Sequence, residues 1–398
     1  MILRHTCLCS VSSFLLLSLA GVGVAAATEV DAKVDFRYRL ESVAQDNALE
    51  DALASTLRSR VTLTAQQQSG WSLVAELDHV SAVGGDTYNS TDNGKSSYSV
   101  VADPTGTDIN QAFVRYESTT GTAYTAGRQR VNQLNQRFIG GVGWRQNEQT
   151  FDGYRVQSQW RDSWTLDIGY YHNVNRIFGP DGADADQNGS FVTALVNWQL
   201  QPNQQLALFG YDFEFDDWQV RSSRTYGVDY QSDLWGQRDL RLHVTLAAQN
   251  DAHSAPDNST HHYHRIVLDW QPNRLKFSLG QERLAGDGTS AFQTPLATLH
   301  AFSGFADVFL TTPAAGLRDN WISVGTEAFG GKWKLSWHDF QSDAGALNYG
   351  QELDLVGTYR LSPRWSGIFK AAGYQGDAHG VDTTKLWLML SYSLSSCG

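Results

Sequence analysis

One stretch narrows the choice of fold more than any other. Residues 30–41 alternate without a break: Val30, Ala32, Val34, Phe36, Tyr38 and Leu40 are apolar, while Asp31, Lys33, Asp35, Arg37, Arg39 and Glu41 are charged. A period of two sends successive side chains to opposite faces of a β-strand. Strands of soluble proteins run about 5–6 residues, whereas a tilted strand needs about 9–11 to cross a bilayer. A long strand with one fully charged face suits a wall that has lipid on one side and water on the other. The expected fold is therefore all-β: a transmembrane antiparallel β-barrel.

The same rule recurs down the chain. Val61 and Leu63 share one face and Arg58, Arg60 and Thr62 the other; Leu242 with Val244, and Leu388 with Leu390, form further outward faces. Short turns are expected near 67–70, 119–121, 161–163, 201–203, 271–273, 330–331 and 362–363, with long polar loops near 81–107, 179–189, 251–261, 286–320 and 342–350. Alternating short turns and long loops match the periplasmic and extracellular ends of outer-membrane barrels, and about 18 strands fit the required even number. Tryptophans near strand ends (Trp71, Trp160, Trp164, Trp198, Trp270, Trp321) are expected to form interfacial girdles. A mean hydropathy of −0.36 excludes a helical membrane protein and does not conflict with a barrel, because alternation averages to polar.

Residues 1–27 read as a signal peptide, with Arg4, an apolar run over 14–24 and an Ala25-Ala26-Ala27 cleavage site. The barrel is then 28–398, and Cys397 alone remains after cleavage, so no internal disulfide forms. The chain carries −12, and loss of Arg4 leaves −13, which excludes a nucleic-acid binder of the usual basic kind. The partners expected from the barrel pattern are the lipid bilayer and lipopolysaccharide of the bacterial outer membrane.

Arginines concentrate early. Arg37, Arg39, Arg58, Arg60, Arg115 and Arg155 take the non-apolar parity of their strands, whereas Arg128 and Arg130 share parity with Tyr124, which leaves their facing open. Guanidinium groups grip carboxylates and phosphates through paired donors, so one reading is a lumen track for an anionic solute. The other is a wall network paired to Asp31, Asp35, Glu41, Glu76 and Asp78. Loop acids such as Asp86, Asp92 and Asp103 are expected to lie farther from the wall than a Debye length of about 8 Å.

Two segments are too apolar for external loops. One runs over 127–152 and includes Arg137, a Gly-rich run and Arg145. The other runs over 292–313 and includes Phe292, His300 and Asp307. The first is expected to fold inward and narrow the pore, or else to be an ordinary packed hairpin end; the second is expected to fold over the lumen, the nearest cover for 296–310, or else to contact lipid or a partner. Their strings GRQ, RFIGGVGWRQN, QTFD and FQTPLATLH-to-FLTTP, with Arg39-Leu40-Glu41, resemble the alginate-export family of outer-membrane porins. The resemblance implies an 18-stranded monomeric barrel, arginine-rich inside, that lets an anionic saccharide such as a polyuronate leave the cell, with a periplasmic export partner.

Other motifs carry less. Asp184, Asp186, Asn188 and Gly189 match half of a calcium loop, but Leu195 stands where the bidentate Glu belongs. A solvated loop and no cofactor are expected there, with calcium at Asp184, Asp186 and Asn188 the lesser alternative. His261, His262 and His264 read as rim histidines. No nucleophile elbow, HExxH or CxxC occurs, so the chain is read as a channel and not an enzyme. A general small-solute porin is the alternative, and a barrel-wall hydrolase a more distant one.

Overall fold

A computed structural model describes residues 28–236 and 239–395; the signal-peptide reading and Cys397 lie outside the described residues. Eighteen strands form one antiparallel sheet. In chain order they are β1 (Thr28–Gln45), β2 (Ala52–Gln67), β3 (Trp71–Thr87), β4 (Gly106–Glu117), β5 (Thr122–Gln129), β6 (Thr150–Trp160), β7 (Trp164–Asn175), β8 (Asp186–Gln201) and β9 (Gln204–Phe215). They continue with β10 (Ser223–Asp233), β11 (Leu240–Asp251), β12 (Thr260–Trp270), β13 (Lys276–Leu284), β14 (Leu317–Ala328), β15 (Gly331–Gln341), β16 (Asn348–Arg360), β17 (Trp365–Gly376) and β18 (Thr383–Ser395). Each strand pairs with its chain neighbours, and β1 pairs with β18, with Leu40 opposite Leu388. The sheet is closed, so no edge is left to satisfy in lipid.

Parity behaves as the alternation predicts. Phe36, Val61, Leu63, Leu388 and Leu390 are exposed on the outer wall, while Arg37, Arg39, Arg58 and Arg60 are buried inside. The turns at 68–70, 161–163 and 361–364 are short, and the opposite end carries the long connections 88–105, 130–149 and 285–316. Trp71, Trp160, Trp198 and Trp270 are exposed at the short-turn end, with Trp164 stacked on Trp198 at 4.7 Å. Trp321 departs from that girdle. It faces the interior, its ring in the space a Cβ on Gly280 would fill, 2.0 Å from the built atom.

The interior is not simply water. Phe209, Tyr211, Phe213 and Phe215 line the inner face of β9, and with Tyr171, Phe191 and Tyr263 they enclose Phe138, Phe292 and Leu296 from the inward loops. The apolar content of those loops requires this cover: a loop that folds inside brings its own hydrophobic surface and needs a wall to match.

Candidate functional site

Three loops enter the lumen from the long-loop end and meet near its middle. Segment 130–149 docks on β1 and β2. Arg37 of β1 donates to the Gly143 carbonyl at 2.7 Å and to Gln146 at 3.0 Å, and also to the Arg145 carbonyl. Gln146 in turn donates to the Thr56 hydroxyl at 2.9 Å. Arg39 donates to the Trp144 carbonyl and lies over the Trp144 ring, 4.5 Å from its centroid. These bonds turn the carbonyls of a Gly-rich run toward guanidinium groups, which fixes a segment with little side-chain bulk of its own.

Segment 285–316 docks on the strands that precede β1 around the wall, β16 to β18. The Phe305 and Ala306 amides donate to Asp354 and Glu352 of β16 at 3.2 and 2.7 Å. Gly304 makes this approach possible: its φ is +80°, and a Cβ there would stand 2.3 Å from a Glu352 oxygen. The two segments then bind each other. The Gly140 amide donates to the Leu296 carbonyl, the Thr298 amide to the Gln136 carbonyl, both at 3.0 Å, and Gln149 reaches Leu296 as well.

Where they touch, charges gather. Arg145 bridges Glu41 of β1 and Asp307 of the second loop, each at 3.2 Å. Asp307 also takes Lys385 of β18 at 3.1 Å and the His300 Nδ1 at 2.7 Å. Lys370 of β17 lies 2.6 Å from the His300 Nε2, and the imidazole stacks flat on Trp144 at 4.5 Å. Burial pushes His300 down to about 3, so at neutral pH it is uncharged. Its Nε2 then accepts from Lys370 while Nδ1–H donates to Asp307. The junction holds Arg37, Arg39, Arg145, Lys370 and Lys385 against Glu41, Asp103 and Asp307, with Glu352 and Asp354 of β16 beside them.

A second ladder stands beside it. Glu148 receives Arg60 at 2.9 Å and Arg58 at 3.4 Å, and also pairs with Arg130. Arg60 holds Asp78 at 2.6 Å, and Arg130 reaches Glu76 at 3.0 Å. Burial pushes the Glu148 carboxyl up, but Arg60, Arg130 and Arg58 outweigh it and hold it at about 2. This ladder has as many carboxylates as guanidinium groups.

The remaining sequence candidates divide. Arg137 enters the loop contact, bound to Glu282 at 2.8 Å and to the Thr294 hydroxyl at 3.0 Å. Phe292 sits in the aromatic core. Arg155 pairs with Asp167 at 2.8 Å, and Arg115 with Gln157 at 3.2 Å, nearer the short turns. Arg128 stands in register with Ala112, on the outward parity, and is clasped by Asp152 at 2.9 and 3.1 Å. Arg130, past the end of β5, has the opposite fate and turns into the lumen. Asp31 and Asp35 take no part in the junction or the ladder. Asp186 and Asn188 belong to β8, where Asp186 accepts from Asn173 at 2.8 Å. His261 is buried inside against Ser290, and His262 is exposed.

Several residues of this site were not singled out from the sequence. Lys370 and Lys385 had a readable signal, since Lys385 takes the parity opposite Leu386 and Leu388. Glu148 and Trp144 lie inside an aperiodic run, where parity says nothing. Asp103 was grouped with remote loop acids, yet it is fully buried and 3.1 Å from Arg39. The reason is that segment 88–105 also turns inward, carrying Tyr88 and Val101 onto Val43, Ala52 and Ala54.

Above the junction the loops leave a cavity of about 680 Å³. Its charged lining comprises Arg137, Arg145, Arg176, Arg221 and Lys385 against Asp184 and Asp307, and its apolar lining includes Ile177, Phe178, Trp218, Val308 and Leu310.

Solved structures share this architecture. The Acinetobacter baumannii protein OccAB4 superposes with a TM-score of 0.72 at 13% identity, over 93% of this chain and 99% of that one. The Pseudomonas aeruginosa outer-membrane protein OpdK, solved with vanillate, gives 0.71 at 14% identity, over 92% and 99%. OccD3 from the same organism gives 0.72 at 14%, over 94% of each chain. No curated sequence matches the chain. The family model described as alginate export matches residues 28–293, and the chain thus belongs to the alginate-export family, as an outer-membrane β-barrel porin.

Proposed function

We propose that this porin passes small anionic solutes, sugar acids or short oligouronates, from one side of the outer membrane to the other. The observation that carries the reading is the cavity above the junction. In a chain of charge −12, it presents five cationic side chains and two carboxylates. Low-dielectric walls focus such a field and raise the local concentration of the opposite charge. Its volume lies in the range of single small-molecule pockets, about 300–1,000 Å³, and two loops bonded to each other stand beneath it. Both facts favour a short anion over a long polymer strand. That one structural neighbour was solved with vanillate, a carboxylate, fits the same class.

Planar-bilayer recordings test the reading. In a KCl gradient the reversal potential is expected to show anion preference, and liposomes containing the porin should swell faster in glucuronate than in glucosamine of equal concentration. A cation-selective native pore would refute it.

A further inference from the structure

The cavity holds two arginines with nothing bound to them. Arg176 follows β7 directly and lies against two rings, with its guanidinium carbon 4.7 Å from the Phe178 centroid and 4.6 Å from that of Trp218. The rings pack on the planar cation, and its N–H edge is what remains to make bonds. Among the described residues that edge has no hydrogen-bond partner, and its Nε is buried and unsatisfied. Asp184 acts on it only through space. Arg221 ends the short 3-10 turn that begins after Trp218, its amide bonded to the Trp218 carbonyl at 2.7 Å. It too has no side-chain partner among the described residues. Every other cation of the cavity is satisfied: Arg137 by Glu282, Arg145 by Glu41 and Asp307, Lys385 by Asp307.

Leaving two partly desolvated guanidinium groups unpaired is costly. Burial lowers Arg176 to about 10, which leaves it charged at neutral pH, and burial alone lowers Arg221. Packing against the Phe178 and Trp218 rings restrains Arg176, so a ligand meets a partly preorganised fork and loses less freedom on binding. The group that matches a guanidinium edge is a planar carboxylate, bound through two parallel N–H bonds. The wall around it is apolar: Ile177, Phe178, Trp218, Val308 and Leu310. A carboxylate with only a methyl group would leave that wall wet.

We propose that Arg176 and Arg221, held by Trp218, form a capture site in the extracellular vestibule for a carboxylate carried on a six-membered ring. The inference rests on the anion-channel reading and adds to it where the anion first binds and what its body must be. The ring's flat face would lie on the apolar wall while its carboxylate takes the Arg176 edge.

Channel block tests it. Benzoate, glucuronate, acetate and neutral methyl glucoside are added in turn on the long-loop side of a single pore in KCl. One or both ring acids are expected to interrupt the current at millimolar concentration, with acetate and methyl glucoside far weaker. The benzoate and glucuronate arms tell an aromatic from a saccharide ring. Arg176→Gln with Arg221→Gln should raise the blocking concentration by about tenfold or more, the loss of a charge-assisted bond. Arg176→Lys, which keeps the charge but not the fork, should fall between. The double glutamine variant leaves Arg137, Arg145 and Lys385 against Asp184 and Asp307 in the cavity, so its anion preference should weaken without reversing, whereas Arg176→Lys, which keeps the charge, should keep the native reversal potential. Equal block by acetate, or block unchanged in both variants, overturns the capture site while leaving the anion channel standing. A native pore without anion preference removes the anion-channel reading itself. Heat-modifiable gel mobility confirms that each variant is a closed barrel before it is recorded.

Discussion

At the scale of single residues, acidity is the lever on the inward loops. Glu148 titrates at about 2 where docked and near 4.5 when released. His300 titrates at about 3 where docked and near 6.5 when released. In both cases the released loop binds a proton that the docked loop does not, so docking weakens as pH falls. The His300 contribution starts to fade below about 6.5 and that of Glu148 below about 4.5. Open-channel noise is therefore expected to grow from neutral pH toward about 4, and a pore that becomes quieter in acid would contradict the assignment. Glu148→Gln leaves Arg58, Arg60 and Arg130 facing a neutral amide. Breaking a buried pair from one side costs about 3–5 kcal/mol, so this variant should be noisy already at neutral pH and more readily cut by protease within 130–149. None of this was visible in the sequence, because Glu148 sits in a run with no period and its three partners come from β2 and the end of β5.

At the scale of strands, the sequence said most. Where one face is lipid and the other is not, each residue's parity is its address, and β1, β2, β11 and β18 could be read directly. Val61 is exposed outward, and Thr62 faces inward and donates to Glu76 at 2.8 Å. An arginine at a midplane lipid-facing position costs about 2–4 kcal/mol, whereas one at position 62 would find Glu76. Val61→Arg should thus reduce the heat-modifiable, folded fraction sharply and Thr62→Arg little; equal loss would reject the facing of β2. Parity failed where the ladder is interrupted. The register shift between Glu76 and Leu77 accommodates Asn110 as an extra inward residue, and Arg128 and Arg130, of one parity, end on different sides because β5 stops at Gln129. Trp321 was misplaced for another reason: Gly280 opposite it makes room for an indole inside, and a glycine's vacancy is a property of the neighbouring strand.

For the whole molecule, conductance should be set by the loops and not by the wall. Removing 296–310 takes away the Leu296, His300 and Asp307 contacts together, and single-channel conductance is expected to rise; an unchanged value would show that the narrowest point lies elsewhere. The loops have a second relation to the barrel. Segment 130–149 is bound to Arg37 and Arg39 of β1, while segment 285–316 is bound to Lys370 of β17 and Lys385 of β18, and Arg145 joins the two through Asp307. The first and last strands are those that meet only when the cylinder closes. They are thus riveted from within as well as zipped along their edges. A lid hinged on one side could swing aside and leave the staves alone; this plug spans the seam, so it cannot leave whole without releasing one lip of the join, and the join cannot gape without tearing the plug in two.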